Sequence, residues 1–361
     1  MQLSILLGTN RNGLPACARI AQACAWASPS IEVIVRDVST DAQKREFLAQ
    51  LRSDYCNIVL AEPCDARSNA ADMIRLAKGD FVFLLNDDDF CFDHAIAELP
   101  ALIENHAGNP SVVGVTGGYL IEATQGSSIV GYTNAESDDV TARIAGYLSF
   151  GGPNILHHAP LRREAVQRVF AFMDTLPFAL PFHDRIGCLS YLLKGKFVRL
   201  KRLLCLYDAK IWEQGDIVQR HEVECYRNAG FDPAINTLHW YLCGFEGAVL
   251  VRNADEFSGY PLALRQTIAD RWFSVMFTRF KGQARQTFDS PFAGDAQKIC
   301  AKLQTSTGQL SFDGMLEEIC RLIALFSGDG AHRYFDFWRA AINQRQVDLA
   351  PAEKAAQGRA G

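Results

Sequence analysis

Phe81-Val82-Phe83-Leu84-Leu85-Asn86-Asp87-Asp88-Asp89-Phe90 decides how this chain is read. Five apolar residues in succession make a buried strand. Three consecutive carboxylates stand at its C-terminal end, the edge where open α/β sheets place their ligands. Three like charges side by side repel one another, and a divalent cation relieves that cost. The same triplet also reads as a solvated turn, or as the N-cap of the helix that begins near Asp93.

Outward from that strand, residues 1–110 alternate strand and helix, the pattern of a parallel sheet. Strands are predicted over 3–8, 31–35, 57–60, 81–85 and 112–115. Helices are predicted between them. One carries Ala70, Met73, Ile74 and Ala77 on a single face, closed by Gly79 as a left-handed C-terminal glycine. Another spans 94–106, with Pro100 expected to kink it. Residues 119–150 read as a hairpin followed by a loop, and 150–154 as a turn. Helices follow over 162–173 and 185–194, then one long strand or a strand pair over 197–206. Beyond Gly230 only helical stripes remain: Leu264, Ile268, Trp272, Val275 and Met276; Met315, Ile319, Leu322, Ile323 and Phe326; Tyr334, Trp338, Ala341 and Ile342. Each reads as core packing.

At 361 residues the chain is long enough for two domains, and 48% hydrophobic content suits a globular core. With 36 basic against 41 acidic residues the net charge is −5, which argues against nucleic acid as a partner. No apolar run reaches the ~18 residues of a membrane span. Residues 1–7 lack a basic region and a cleavage site, so they read as a first strand and a cytoplasmic location is expected. Eleven cysteines without C-x-x-C spacing, most inside apolar patterns, point to reduced, buried thiols.

Several signatures fail. Gly8 and Gly13 have the glycine spacing of a phosphate loop, but Leu14-Pro15 stands where Lys-Ser/Thr is required. No G-x-G-x-x-G follows the first strand, and no G-x-S-x-G is present. What remains is a set of positions at successive strand ends: Thr9-Asn10, Asp37, Asp65 to Asn69, and the acidic triplet. In a parallel sheet these converge on one edge. A carboxylate at Asp37 can accept from a base or ribose, Arg67 can face a phosphate, and a cation on the triplet can bridge two phosphates. The parts fit a nucleoside diphosphate.

Five segments, running in order from residue 3 to residue 197, together resemble glycosyltransferase family 2. They are the opening strand with Thr9-Asn10; Val33 to Asp41 against the family's V-V-D-D-x-S-T-D; Ala66-Arg67-Ser68-Asn69-Ala70 with Ala77-Lys78-Gly79-Asp80; Asn86 to Asp89 against the D-x-D motif; and His183-Asp184 with Leu189, Leu192 and Gly195-Lys196-Phe197. Arg36, Ser68 and His183 stand where the family has an acid, an arginine and a glutamate.

The resemblance implies an α/β fold of GT-A type, a Rossmann-like, mostly parallel sheet flanked by helices; the all-helical C-terminal domain is expected from the apolar stripes beyond Gly230 and has no counterpart in the family's pattern. The expected boundaries are 1–228, 229–345 and a disordered tail over 346–361. It further implies a metal-dependent, inverting transfer of sugar from a nucleotide-sugar (UDP-sugar by family habit) to a hydroxyl acceptor, glycan, lipid-linked or other, such as one in surface polysaccharide synthesis. Thr9, Asn10, Asp37, Arg67, Asn69, Asp87 and Asp88 would bind the nucleotide-sugar. Asp87 and Asp89, or Asp88 in another register, would hold Mn²⁺ or Mg²⁺, with His221 as a further ligand. Asp184 would be the general base.

Bland alternatives stand beside these: Asp184 as N-cap of the helix starting at Arg185, His221 as an ordinary helix histidine, and Trp212 as core rather than a stacking platform. Two other functions stay open, a binding or scaffold subunit that has lost catalysis and a sugar-phosphate nucleotidyltransferase. The aromatic-rich helical region could also serve as a homo-oligomer interface or a peripheral membrane dock.

Overall fold

The structure, a computed structural model, describes residues 1–13, 17–87, 90–131, 134–150, 154–210, 215–282, 290–306 and 310–357. Asp88, Asp89, Trp212 and the 151–153 part of the expected turn lie outside the described residues, as does the side chain of His221. Contacts divide the chain into two compact units, Met1–Phe172 with Ser190–Gly215, and Met173–Leu189 with Asp216–Gly361.

The first unit opens with repeating strand–helix pairs: β1 (Leu3–Thr9), α1 (Cys17–Ala25), β2 (Ile31–Asp37), α2 (Ala42–Gln50), β3 (Cys56–Leu60), α3 (Ala66–Leu76) and β4 (Phe81–Asn86). Then come β5 (Phe90–Cys91), α4 (Asp93–Glu104), β6 (Val112–Ala123), β7 (Gly126–Val130), α5 (Val140–Ser149) and β8 (Leu161–Arg162). The chain leaves this unit within α6 (Arg163–Thr175), returns within α7 (His183–Lys194), and ends it with β9 (Lys196–Asp208).

The sheet order is β3-β2-β1-β4-β8-β6-β9-β5, with β7 paired to β6. Pairing is parallel from β3 to β4; β8 is antiparallel to both of its neighbours, and β9 returns parallel to β6. Leu3, Ile5, Leu6, Val33, Ile34, Val35, Phe81, Val82 and Phe83 are essentially inaccessible. That follows from helices covering both faces of a parallel sheet, which is why these strands read as unbroken apolar runs.

Two expectations are corrected here. Gly79 does not close α3 as a left-handed glycine. The helix ends at Leu76 with Ala77 extended at its cap, and the left-handed glycines among the described residues are Gly13, Gly126 and Gly230. Gly79 answers another need: a Cβ there would lie 2.6 Å from the Ser4 backbone nitrogen, and its own N–H donates to Ser4 Oγ at 2.8 Å. The loop passes against β1 where only glycine fits. The second correction is α5, inside the stretch read as hairpin and loop. The β6–β7 hairpin is present, but a ten-residue helix follows it. Asp139 caps this helix by accepting from Thr141 N at 2.9 Å, and Val140, Ile144, Tyr147 and Leu148 form its buried face.

The second unit contains α8 (Gly215–Asn228), α9 (His239–Asn253), α10 (Leu262–Gly282), α11 (Ala293–Thr305), α12 (Phe312–Ala324) and α13 (Gly328–Gln357). Helix α9 is buried on nearly every side, from Tyr241 to Val251, and is the axis of this unit. Trp272 of α10 lies against it, donating Nε1–H to the Cys243 carbonyl at 3.0 Å, and a Cβ at Gly247 would strike its indole. Ile268, Trp272, Met276, Met315, Ile319, Leu322, Ile323, Tyr334 and Trp338 are buried, while Leu264, Val275, Phe326, Ala341 and Ile342 are half-buried, so each helical stripe is core over part of its length. Among the described residues, no helix is long and apolar enough to cross a membrane.

Candidate active site

Three in-register strand ends build the site. Thr9 pairs with Asp37 across β1–β2, and Gly8 pairs with Asn86 across β1–β4, so Asp87 comes level with Thr9 on its other side. All three side chains are buried: Asp37 fully, Thr9 at 2% exposure and Asp87 at 5%. A row of two carboxylates and one hydroxyl, closed off from water, requires a compensating charge.

Lys44, which the sequence did not single out, supplies it. Its side chain is fully buried on the first turn of α2, and Nζ lies 3.0 Å from Asp37 Oδ1. It also donates to Thr9 Oγ1 at 2.7 Å and to the Arg11 carbonyl at 2.6 Å. An ammonium group has donors only, so Thr9 Oγ1 must accept from it and turn its own proton to Asp87. That proton meets Asp87 Oδ2 at 2.5 Å. Asp87 Oδ1 faces the exposed Arg11, Nε at 3.4 Å. A directed chain therefore runs Asp37–Lys44–Thr9–Asp87–Arg11. The one readable signal is that Lys44 shares a helix face with buried Leu48, four residues on.

The loop after β1 is held by Asp41, which caps α2. Its carboxylate accepts from Lys44 N at 3.1 Å and from left-handed Gly13 N at 2.7 Å, and these two backbone donors, in that order, hold its pKa below the ordinary value. Asp37 itself also accepts from Ser39 N at 3.2 Å and Ser39 Oγ at 3.0 Å.

Arg36, the departure from the family pattern beside Asp37, ties β2 to α3. It donates to Asn69 Oδ1 at 2.7 Å and pairs with Asp72 at 2.5 Å. Asn69 is accordingly buried and engaged with β2. Asp65 caps α3 by accepting from Ser68 N and Oγ, at 3.0 and 2.6 Å. Arg67 is half-buried on the first turn of α3, while Asn10 is exposed at the end of β1.

Among the described residues no three His, Cys, Asp or Glu side chains gather as a metal-binding group. The donor chemistry of the acidic run nevertheless suits a hard divalent cation, since all three side chains offer carboxylate oxygens. Both oxygens of Asp87 are already addressed, Oδ2 by Thr9 and Oδ1 by Arg11.

The second unit holds Asp184. Helix α7 starts at His183, so Asp184 lies within the first turn rather than at the N-cap, and its Oδ1 accepts from Arg185 N at 2.7 Å. Its neighbour His183 is buried and fixed from both sides. Leu180 N donates to Nδ1 at 3.2 Å, so the ring proton sits on Nε2 and is donated to Glu246 Oε2 at 2.9 Å. Tyr334 donates to the other oxygen of Glu246 at 2.5 Å, and its own pKa is pushed well up, first by burial and then by the charge of Glu246. Where the family pattern has a glutamate, this chain has a histidine that finds its carboxylate on α9. His221 falls on α8.

His239 shares a 3.1 Å hydrogen bond with Tyr226, and its pKa is pushed down to about 4 by burial, aided by the charge of Arg185 and opposed by Asp184. The unfolded chain then binds more protons than the native one between pH 6.5 and 4. This contribution to stability is complete above pH 6.5 and is lost as pH falls, by about 3 kcal/mol near pH 4. Urea titrations of His239→Asn should show a flatter pH dependence across that window than wild type. Parallel curves would contradict it.

No protein-family model matches this chain, and no curated protein does. Among solved structures, residues 1–349 of S. aureus TarS are similar at 14% identity and a TM-score of 0.52, over 96% of this chain and 92% of that one. The same TarS segment in complex with UDP-GlcNAc is similar at 15% identity and a TM-score of 0.51, with the same coverage. A longer TarS chain is similar at 13% identity and a TM-score of 0.52, over 95% of this chain and 55% of that one. The likeness bears out the expected fold: an α/β protein of the GT-A glycosyltransferase type, with a helical C-terminal region.

Proposed function

We propose that this chain is an inverting glycosyltransferase, moving a sugar from a nucleotide-sugar to a hydroxyl acceptor. The observation that carries the reading is the Asp37–Thr9–Asp87 row at the carboxyl edge of a GT-A sheet, with Asp88 and Asp89 next in the chain. The likeness to TarS bound to UDP-GlcNAc supports a UDP-sugar as donor. The strand-end residues Thr9, Asn10, Asp37, Arg67, Asn69, Asp87 and Asp88 are assigned to the nucleotide-sugar pocket. Buried Asp37, Asn69 and Lys44 act there by fixing the pocket wall. Asp87 and Asp89, with Asp88 in the alternative register and His221 as a further candidate, would hold Mn²⁺ or Mg²⁺, which supplies charge neutralisation for a leaving diphosphate.

Asp184 is assigned as the base. The acceptor hydroxyl gives its proton to that carboxylate, and its oxygen forms a bond to the anomeric carbon from the face opposite the leaving group. The bond from that carbon to the diphosphate breaks, the electron pair leaves with the diphosphate, and configuration inverts. The saturation of Asp37 by Lys44 and Ser39 favours one second reading, a subunit that binds without turnover.

Donor hydrolysis tests the proposal without knowledge of the acceptor. UDP-GlcNAc incubated with the protein and Mn²⁺ should release UDP, with the free sugar appearing first as the inverted anomer in proton NMR spectra. A first-formed sugar of retained configuration would contradict inversion; absence of UDP release alongside intact UDP binding would favour the non-catalytic reading.

A further inference from the structure

Cys91 and Cys205 face one another across β5 and β9, which pair antiparallel with Phe90 opposite Leu206 and Cys91 opposite Cys205. Phe92 N donates to the Leu204 carbonyl at 3.0 Å, making that pair a hydrogen-bonded one. Bonded and non-bonded pairs alternate along an antiparallel ladder, so Cys91 and Cys205 occupy a non-bonded position, where Cα atoms approach to about 4.5 Å. That spacing falls within the range a disulfide spans, about 4.4–6.8 Å. The thiols are in contact, Sγ to Sγ 2.7 Å, and both residues are buried.

We propose that Cys91 and Cys205 form a peroxide-sensitive thiol pair that closes reversibly to a disulfide. One thiolate attacks the peroxide, forming an S–O bond as the O–O bond breaks, and water leaves after protonation. The second thiolate attacks the resulting sulfenic sulfur and expels the second oxygen as water. Two thiols and one peroxide thus become one disulfide and two waters. Both thiols are buried, so access requires local opening but not global unfolding. β5 has two residues and lies at the end of the sheet order, so it belongs to the segments that open at least cost.

The disulfide acts on the acidic run by position. Cys91 is two residues beyond Asp89, and the link would tether the exit of that run to the long strand β9. This consequence rests on the proposed donor site, whereas formation of the disulfide does not.

The test is hydrogen peroxide treatment of the full chain under native conditions, followed by digestion without reductant and mass spectrometry. The expected product joins the Cys91 and Cys205 peptides with loss of two hydrogens, and dithiothreitol reverses it. Because the cross-link spans a separation of 114 residues, the oxidised protein should also melt higher, by roughly 5 °C. Cys205→Ala should abolish both the link and the gain. Persistence of both thiols in alkylatable form would overturn the proposal, as would a link confined to other cysteines such as Cys24 and Cys56, or an equal melting gain in Cys205→Ala. No nucleotide enters the experiment, so failure of the donor-site reading would leave its outcome unchanged.

Discussion

Replacing Lys44 with methionine is expected to cost about 3–5 kcal/mol of stability, the range for removing one partner of a buried ion pair. Methionine matches the lysine stem in length but leaves the fully buried Asp37 carboxylate, among the described residues, with Ser39 and the more distant Arg45, 3.7 Å away. Adding Asp37→Asn to that variant should recover a large part of the loss, because the stranded charge is then gone. Urea denaturation of the two single variants and the double variant measures this directly. A double variant no more stable than Lys44→Met would mean that Lys44 matters for packing and not for charge. The double variant should nevertheless bind donor poorly, since Thr9 Oγ1 has lost the partner that turns its proton to Asp87.

The second large effect concerns Asp184. Asp184→Asn should lower the transfer rate about 10²–10⁴-fold, the usual contribution of a positioned general base. Donor affinity and melting temperature should hold, because asparagine keeps a carbonyl oxygen to accept from Arg185 N and α7 retains its first turn. Steady-state rates set beside direct donor binding separate these quantities. Wild-type transfer in the variant, with donor binding intact, would remove Asp184 from the mechanism.

Much of the sheet was legible because local and global preferences agree there. Phe81 to Leu85 is apolar on both faces, since β4 lies inside the sheet between β1 and β8 and most of its side chains are buried. The strand-end positions of Thr9, Asp37 and Asp87 followed from the parallel topology alone. Lys44 was hidden because a lysine on a short helix ordinarily belongs to water, and only tertiary register shows a carboxylate, a hydroxyl and a backbone carbonyl converging on its ammonium. Gly79 was misread because one residue type serves two needs, a left-handed cap and a close backbone approach. Helix α5 was missed because Thr141 and Gly146 dilute a stripe whose stability comes from burial. His183 was visible as a departure from the family pattern, but its carboxylate lies 63 residues further along the chain, beyond the reach of any local pattern.

The central claim is that the edge of this sheet binds a nucleoside diphosphate through a divalent cation on the acidic run. Calorimetric titration of UDP, GDP, CMP and dTDP into wild type and Asp89→Ala, each with Mn²⁺ and then with EDTA, tests it most directly. Binding of one diphosphate, UDP first among them, that vanishes with EDTA and with Asp89→Ala is the expected result. Folded wild-type protein that binds none of the four in Mn²⁺, or binds one with indifference to both the metal and Asp89, would contradict it.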